Sequence, residues 1–451
     1  MTFSRRKTVL GLTASAAILA LTVAGCSSSS DPAEPTTPAT DSTMSAAPDA
    51  AAEPVTLTLA TFNTPGYQQI EQPDAPYQYD LIKEYEDANP NVTVVYDRKA
   101  ESGDARTNFF AKLGPGGLAD VEMVEVDWMP EVMQYSDLLE DLSNDGNADR
   151  WLPAKVADAT DADGRMIGDG TDVGPQAVCY RESLMEAAGL PSDPEGVATL
   201  LDGDWANFFD VGQQYFDKTG KAFFDSTSGI WQGMIGQIDP AYEEAGTDAI
   251  IAADNADVKA AYDQLTAASM DQSTHLGQWS EDWSAAFKSG GFAVILCPPW
   301  MLGVVKGNSG EETTDWNIAN VYPNGGGNWG GSWLTVPSKG KNVDEAKKFV
   351  DWLTAPEQQA KAFANAGTYP SQPAAYDNPL VKDAVDEYFN GANTGTIFAD
   401  RAKAVPAAPF KGKFYFQVND AINNALTRVD DGTDAPAASW DKALTDINGI
   451  S

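Results

Sequence analysis

The chain has 451 residues, with 66 acidic against 29 basic side chains, a formal net charge of −37 and a single histidine. That balance argues against nucleic acid as a partner, because phosphate binding needs clustered Lys and Arg, and it reads as a solubilising acidic coat. One His removes any mechanism that needs a His base beside a second His ligand, and most zinc sites; no P-loop, G-x-S-x-G or H-E-x-x-H motif occurs.

In chain order, Arg5, Arg6 and Lys7 form a short positive start, an apolar stretch runs from Thr8 to Ala24, and Val23-Ala24-Gly25-Cys26 leads into four serines. A charged start, a short apolar core and small residues before the cut describe a secretory signal peptide over residues 1–25. L-T-V-A-G-C resembles the bacterial lipobox, which implies cleavage before Cys26 and lipid on its thiol, with further acylation to make anchoring durable. A plain signal peptide with an incidental Cys26 is the alternative, and the export route, Sec or twin-arginine, stays open. Apart from Met44, residues 27–54 are Ser, Ala, Pro, Thr, Asp and Glu with almost nothing to bury, so over residues 26–54 a lipidated Cys26 followed by a disordered tether is expected. The rest is too long for one core and predicts two lobes. No second apolar run approaches a membrane span, so the body is expected to be soluble.

The body opens with a strand pattern at Val55–Phe62, a helix pattern with Leu81, Ile82 and Tyr85 on one face, and a strand at Asn91–Asp97. A helix over Asp104–Leu113, a strand over Asp120–Asp127 and a helix in EVMQYSDLLEDL follow. This βαβαβ order predicts a parallel sheet, which binds ligands at the carboxyl ends of its strands. Asp127-Trp128 sits at one such end. Farther on, QAVCYRESLMEAAGLP reads as a strand running into a helix, and DWANFFDVGQQYFDKTG, AYDQLTAASM, DEAKKFVDWLT, KFYFQVNDAINNALTRV and SWDKALTDI read as helices. Cys179 and Cys297 each lie in an apolar strand-like run. They are either a disulfide between neighbouring strands or two separate buried thiols.

Five ordered segments carry a family likeness: GGLADVEMVEVDWMPEVMQYSDLLEDLS, GPQAVCYRESLMEAAGLP, FKSGGFAVILCPPW, the stretch Val321–Ala364 and GTYPSQPAAY, with PFKGKFYFQVNDAINNAL near the end. In these the chain resembles family 1 extracellular solute-binding proteins of ABC importers, the sugar-binding branch that includes maltose-binding protein. The resemblance implies a two-lobed α/β periplasmic-binding-protein-like fold (type II), each lobe a sheet flanked by helices, joined by a hinge. Lobe 1 would hold residues 55–177 plus 321–362, and lobe 2 residues 178–320 plus 363–451. Two departures stand out: Arg181 where the family usually has Asn, and PSDPEGVATLLDGDW in place of a Pro-x-Thr-Trp phrase. Both leave the substrate open.

A carbohydrate offers apolar C–H faces and a rim of hydroxyls, so its binder needs flat aromatic rings together with carboxylates or amides. Among 12 Trp and 15 Tyr, Trp128, Trp231, Trp300, Trp329 and Trp333 adjoin strand ends or Gly-rich turns, with packing in a lobe core as the alternative for each. By resemblance, Trp300 and Tyr415 fall where the family stacks rings on sugar, Trp231 near a further aromatic contact, and Asp127 at a cleft carboxylate. Asp225 and Arg181 are candidate polar contacts. Trp279, Trp283, Trp352 and Trp440 fall on helical segments and are expected in the core. Gly330-Gly331 reads as a close approach to ligand or as a simple turn. No cofactor and no metal are expected. The resemblance implies a monomeric, lipid-anchored protein at the outer face of the cell membrane that captures a carbohydrate, an oligosaccharide above all, and delivers it to the transmembrane subunits of an ABC permease. The rivals are a binder of another solute such as a polyamine, an extracellular glycosidase, and an adhesive lipoprotein.

Overall fold

A computed structural model describes residues 53–71, 78–144, 149–247, 249–405 and 409–450. The expected signal peptide, Cys26 and nearly all of the expected tether lie outside these residues. Two sheets organise the body, and each anchors one lobe.

The first sheet has the order β2-β1-β3-β9-β4. Its strands are β1 (Val55–Phe62), β2 (Val92–Lys99), β3 (Val121–Glu125), β4 (Asp169–Gly170) and β9 (Ser332–Thr335). β1 runs parallel to β2 and β3, as the βαβαβ pattern predicts, while β9 pairs antiparallel with β3 and β4. The sheet is therefore mixed, because β9 arrives from far along the chain and not through a helical crossover. The helix Leu81–Ala88 starts where the Asp80 carboxylate accepts from Lys83 N, and it buries Leu81, Ile82 and Tyr85. The sequence EVMQYSDLLEDL does not form one helix. It makes the helix Met129–Met133 and a 3-10 turn at Ser136–Leu138. It then extends alongside the chain beyond β9, with Glu140 N donating to Val336 O at 2.8 Å. That tertiary pairing overrides the local helical period.

The second sheet has the order β6-β7-β5-β8, from β5 (Ala177–Arg181), β6 (Ala222–Phe224), β7 (Phe292–Cys297) and β8 (Trp316–Ala319). Every residue of β7 is buried, and successive side chains of β5 serve opposite cores. Val178 and Tyr180 pack with the helices Trp205–Thr219, Thr227–Ile235 and Tyr415–Asp430. Ala177 and Cys179 pack with Trp283, Phe287 and Trp316. A strand covered on both faces reads as continuously apolar, which is the pattern of AVCY and AVILC. Cys179 on β5 and Cys297 on β7 form a disulfide, with Cα atoms 5.5 Å apart. Among the described residues no helix is long and apolar enough to cross a membrane.

Candidate functional site

A cavity of about 590 Å³ opens at the carboxyl ends of β1, β2 and β3. The order 2-1-3 reverses direction there, the place where open α/β sheets bind ligands. The loop after β1 supplies Asn63, Thr64, Pro65 and Tyr67; the end of β2 supplies Arg98 and the turn after it Glu101; the end of β3 supplies Glu125.

The loop after β1 is held by one carboxylate. Glu71 accepts from the backbone N–H groups of Gly66, Tyr67 and Gln68 at 2.6, 2.8 and 3.0 Å, and from Tyr96 Oη at 2.7 Å. Burial pushes the Tyr67 hydroxyl well up from its ordinary pKa, so it stays a neutral donor. Glu125 takes a hydrogen bond from Ser102 Oγ, which in turn accepts from Trp128 Nε1 at 3.1 Å. Burial, then the charge of Asp127, pushes Glu125 up to about 7. Asp172 accepts from Thr171 Oγ1 and Ser332 N at 2.8 and 2.9 Å. Burial raises its pKa, and the buried Lys155 opposes that rise.

The opposite wall is aromatic. Trp279 and Trp300 stack with ring centroids 6.1 Å apart and planes 27° apart. Trp329 stands edge-on to Trp300 at 5.1 Å, and Trp300 Nε1 donates to Trp329 O at 2.9 Å. Trp279 is 53% exposed and holds φ +71°, a left-handed backbone unusual for a bulky residue. Strained positions of this kind gather at functional sites. Gly330 and Gly331 adopt φ +92° and +110°. A Cβ on Gly331 would stand 2.8 Å from Asp172 O. The glycine pair thus lets the chain carrying Trp329 lie against Asp172.

Of the residues singled out from sequence, Trp300 and Trp329 line this cavity, with Gly330 and Gly331. The other three tryptophans lie in cores. Trp128 is 1% exposed and packs on Phe109 at 5.4 Å. Trp231 lies inside the helix Thr227–Ile235 and donates to Tyr242 Oη at 3.2 Å. Trp333 neighbours Ser332 on β9; Ser332 lines the cavity, so strand alternation turns Trp333 into the core, where Lys155 Nζ sits 3.1 Å over its ring. Asp225 is buried and accepts from Trp283 Nε1 at 2.8 Å and Gln278 Nε2 at 3.3 Å. Arg181 pairs with Asp315 at 2.7 Å against the ring of Trp316, away from the cavity. Asp127 and Tyr415 lie beside the cavity lining, not in it, and Lys411 joins them.

Sequence reasoning missed Trp279, Asp172, Glu125, Arg98 and the loop after β1. Trp279 was expected in a helix core; the helix begins only at Glu281, where Ser280 Oγ accepts from Trp283 N at 3.1 Å. The signal was Ser280-Glu281-Asp282, an N-cap followed by acidic residues. Trp283 and Trp440 are buried as expected. Among the described residues no group of three or more His, Cys, Asp or Glu side chains is placed to hold a metal ion. Chemically, the cavity offers indole faces on one side and carboxylates, amides and backbone groups on the other.

The model for bacterial extracellular solute-binding proteins matches residues 80–389. The arabinooligosaccharide-binding protein of Bacillus subtilis (strain 168) is 23% identical over 369 residues, which cover 76% of this chain and 80% of that protein. The lactose-binding protein of Rhizobium radiobacter is 24% identical over 294 residues, 63% of this chain and 67% of that protein. A crystal structure of an extracellular solute-binding protein of family 1 superposes with a TM-score of 0.81 at 40% identity, covering 88% of this chain and 99% of the other.

Proposed function

Because the chain belongs to the bacterial extracellular solute-binding proteins, we propose that it captures a carbohydrate in the cavity between its lobes. The observation that carries this reading is the wall of Trp279, Trp300 and Trp329 facing Glu125, Asp172 and Arg98. Indoles cover the apolar faces of a sugar ring, and the polar wall meets its hydroxyls. Two relatives whose names state sugar binding, one of arabinooligosaccharides and one of lactose, support the same reading. The protein is a binder and needs no catalytic step. A hinge motion between the lobes would close the cavity over the ligand, and the closed form would deliver it to an ABC permease. The lipobox around Cys26 supports a lipid anchor at the outer face of the membrane.

A thermal-shift screen against mono- and oligosaccharides tests the reading, since a ligand that binds only the native state raises its stability. Stabilisation by at least one saccharide, with no release of new reducing ends, is the expected result. A shift with spermidine and with no saccharide would replace the sugar by a polyamine. New reducing ends would make the protein a glycosidase.

A further inference from the structure

The polar wall of the cavity stops at Glu125, and the chain two residues on is covered by a strap. Residues 409–414 precede the helix Tyr415–Asp430. The strap is bolted to the second lobe at both ends. Phe410 N donates to Asp239 Oδ1 at 2.8 Å, and Phe414 N donates to Glu243 Oε1 at 2.9 Å. Between them Gly412 lies so close to the Glu243 carboxylate that a Cβ would stand 2.4 Å from it. This fixing aims Lys411 at the first lobe. Its Nζ lies 2.5 Å from Asp127 Oδ1, with side chains 13% and 23% exposed, and 4.9 Å from the centroid of the Tyr415 ring.

Behind Lys411 stands a second aromatic group that the cavity does not reach. Tyr415 is 5% exposed, with its ring 5.2 Å from Tyr242 and 5.9 Å from Phe416. Alongside it, Arg106 pairs with Glu131 and lies 5.0 Å from the Phe416 ring. Rings beside a carboxylate are the parts a sugar site uses, yet the ring face carries an ammonium group and the carboxylate already has its cation. A saccharide unit can neither stack on that face nor donate to that carboxylate while Lys411 is in place.

We propose that Lys411 is a specificity-determining residue that ends the cleft at Asp127 and so limits the length of saccharide the protein accepts. The proposal rests on the carbohydrate reading above. It makes the Trp279 wall the main platform and the Tyr415 group a blocked extension of the same cleft.

The test titrates malto- and arabino-oligosaccharides, from the disaccharide to the hexasaccharide, into wild type, Lys411→Ala and Lys411→Arg by calorimetry, with thermal melts confirming the fold. The readout is the ratio of hexasaccharide to disaccharide affinity. Lys411→Ala should raise that ratio about tenfold or more, while Lys411→Arg keeps a cation over Tyr415 and beside Asp127 and should hold it near wild type. Gly412→Ala, which displaces the strap from Glu243, should raise the ratio as Lys411→Ala does and serves if that variant fails to fold. A wild type that already binds hexasaccharide as tightly as disaccharide overturns the proposal alone, as does a ratio unmoved in Lys411→Ala and Gly412→Ala. Binding of neither ladder by wild type overturns the proposal together with the reading it rests on.

Discussion

Replacing Trp279 by Gly separates binding from stability, and the structure sets the size of both effects. A fully covered Trp buries about 150–250 Å². With 53% of Trp279 exposed, one face pressed on a ligand amounts to roughly 60–100 Å², or about 1.5–2.5 kcal/mol at 25 cal/mol/Å². Affinity for the best saccharide should therefore fall roughly 10- to 60-fold. The fold should hardly notice. Losing the covered half of the ring removes contacts with Trp283 and Trp300 worth about 2 kcal/mol. Relief of φ +71° returns about 1–2 kcal/mol, because Gly adopts that backbone freely. The net change is within about 1 kcal/mol, against about 3–5 kcal/mol for truncating a fully buried Trp. Calorimetric titration measures the first quantity and a denaturant melt the second. Unchanged affinity, or a stability loss of core size, would refute the assignment of Trp279 to the binding wall.

Other outcomes follow from groups around the site. Burial holds Glu122 at about 7 in the folded chain, so between the ordinary carboxylate pKa and pH 7 the native state binds more protons than the unfolded one. Stability should fall as pH rises from about 4.5 to 7, by about 2–3 kcal/mol from this residue at ~1.4 kcal/mol per unit, and Glu122→Gln should flatten that part of the melting profile. Arg181→Ala, which breaks the pair with Asp315 and the stacking on Trp316, should cost about 1 kcal/mol of stability and leave saccharide affinity within about twofold. The Cys179–Cys297 bond spans 118 residues of sequence, so on the chain-entropy view dithiothreitol should destabilise the protein by about 4–5 kcal/mol; a Cys179→Ser, Cys297→Ser double variant should not respond to it.

The architecture was legible where periodicity and order carry information. Strand and helix patterns placed β1, β2, β3, β5 and β7 and the helix Tyr415–Asp430, and the segment order supplied the two-lobed fold. The site was legible only in part, because a Trp beside a glycine or strand end has two faces to choose from. Ser332 and Trp333 are adjacent, yet one faces the cavity and the other the core, and only register decides which. Trp128 and Trp231 likewise filled cores because their indole N–H groups found Ser102 and Tyr242 there. Asp172 and Glu125 carry no motif. They become a site because distant strands bring them opposite Trp300, through contacts far apart in sequence.

The place of β9 has a consequence for synthesis. This strand lies between β3 and β4 in the first sheet, but its residues, Ser332–Thr335, come late. A chain emerging amino end first will have made β1 to β8 before the middle of its first sheet exists. Until then β3 and β4 present unpaired edges, the usual template for association between chains. The first sheet can therefore be completed only after β9 has been made, and folding of the first lobe waits on that one late insertion.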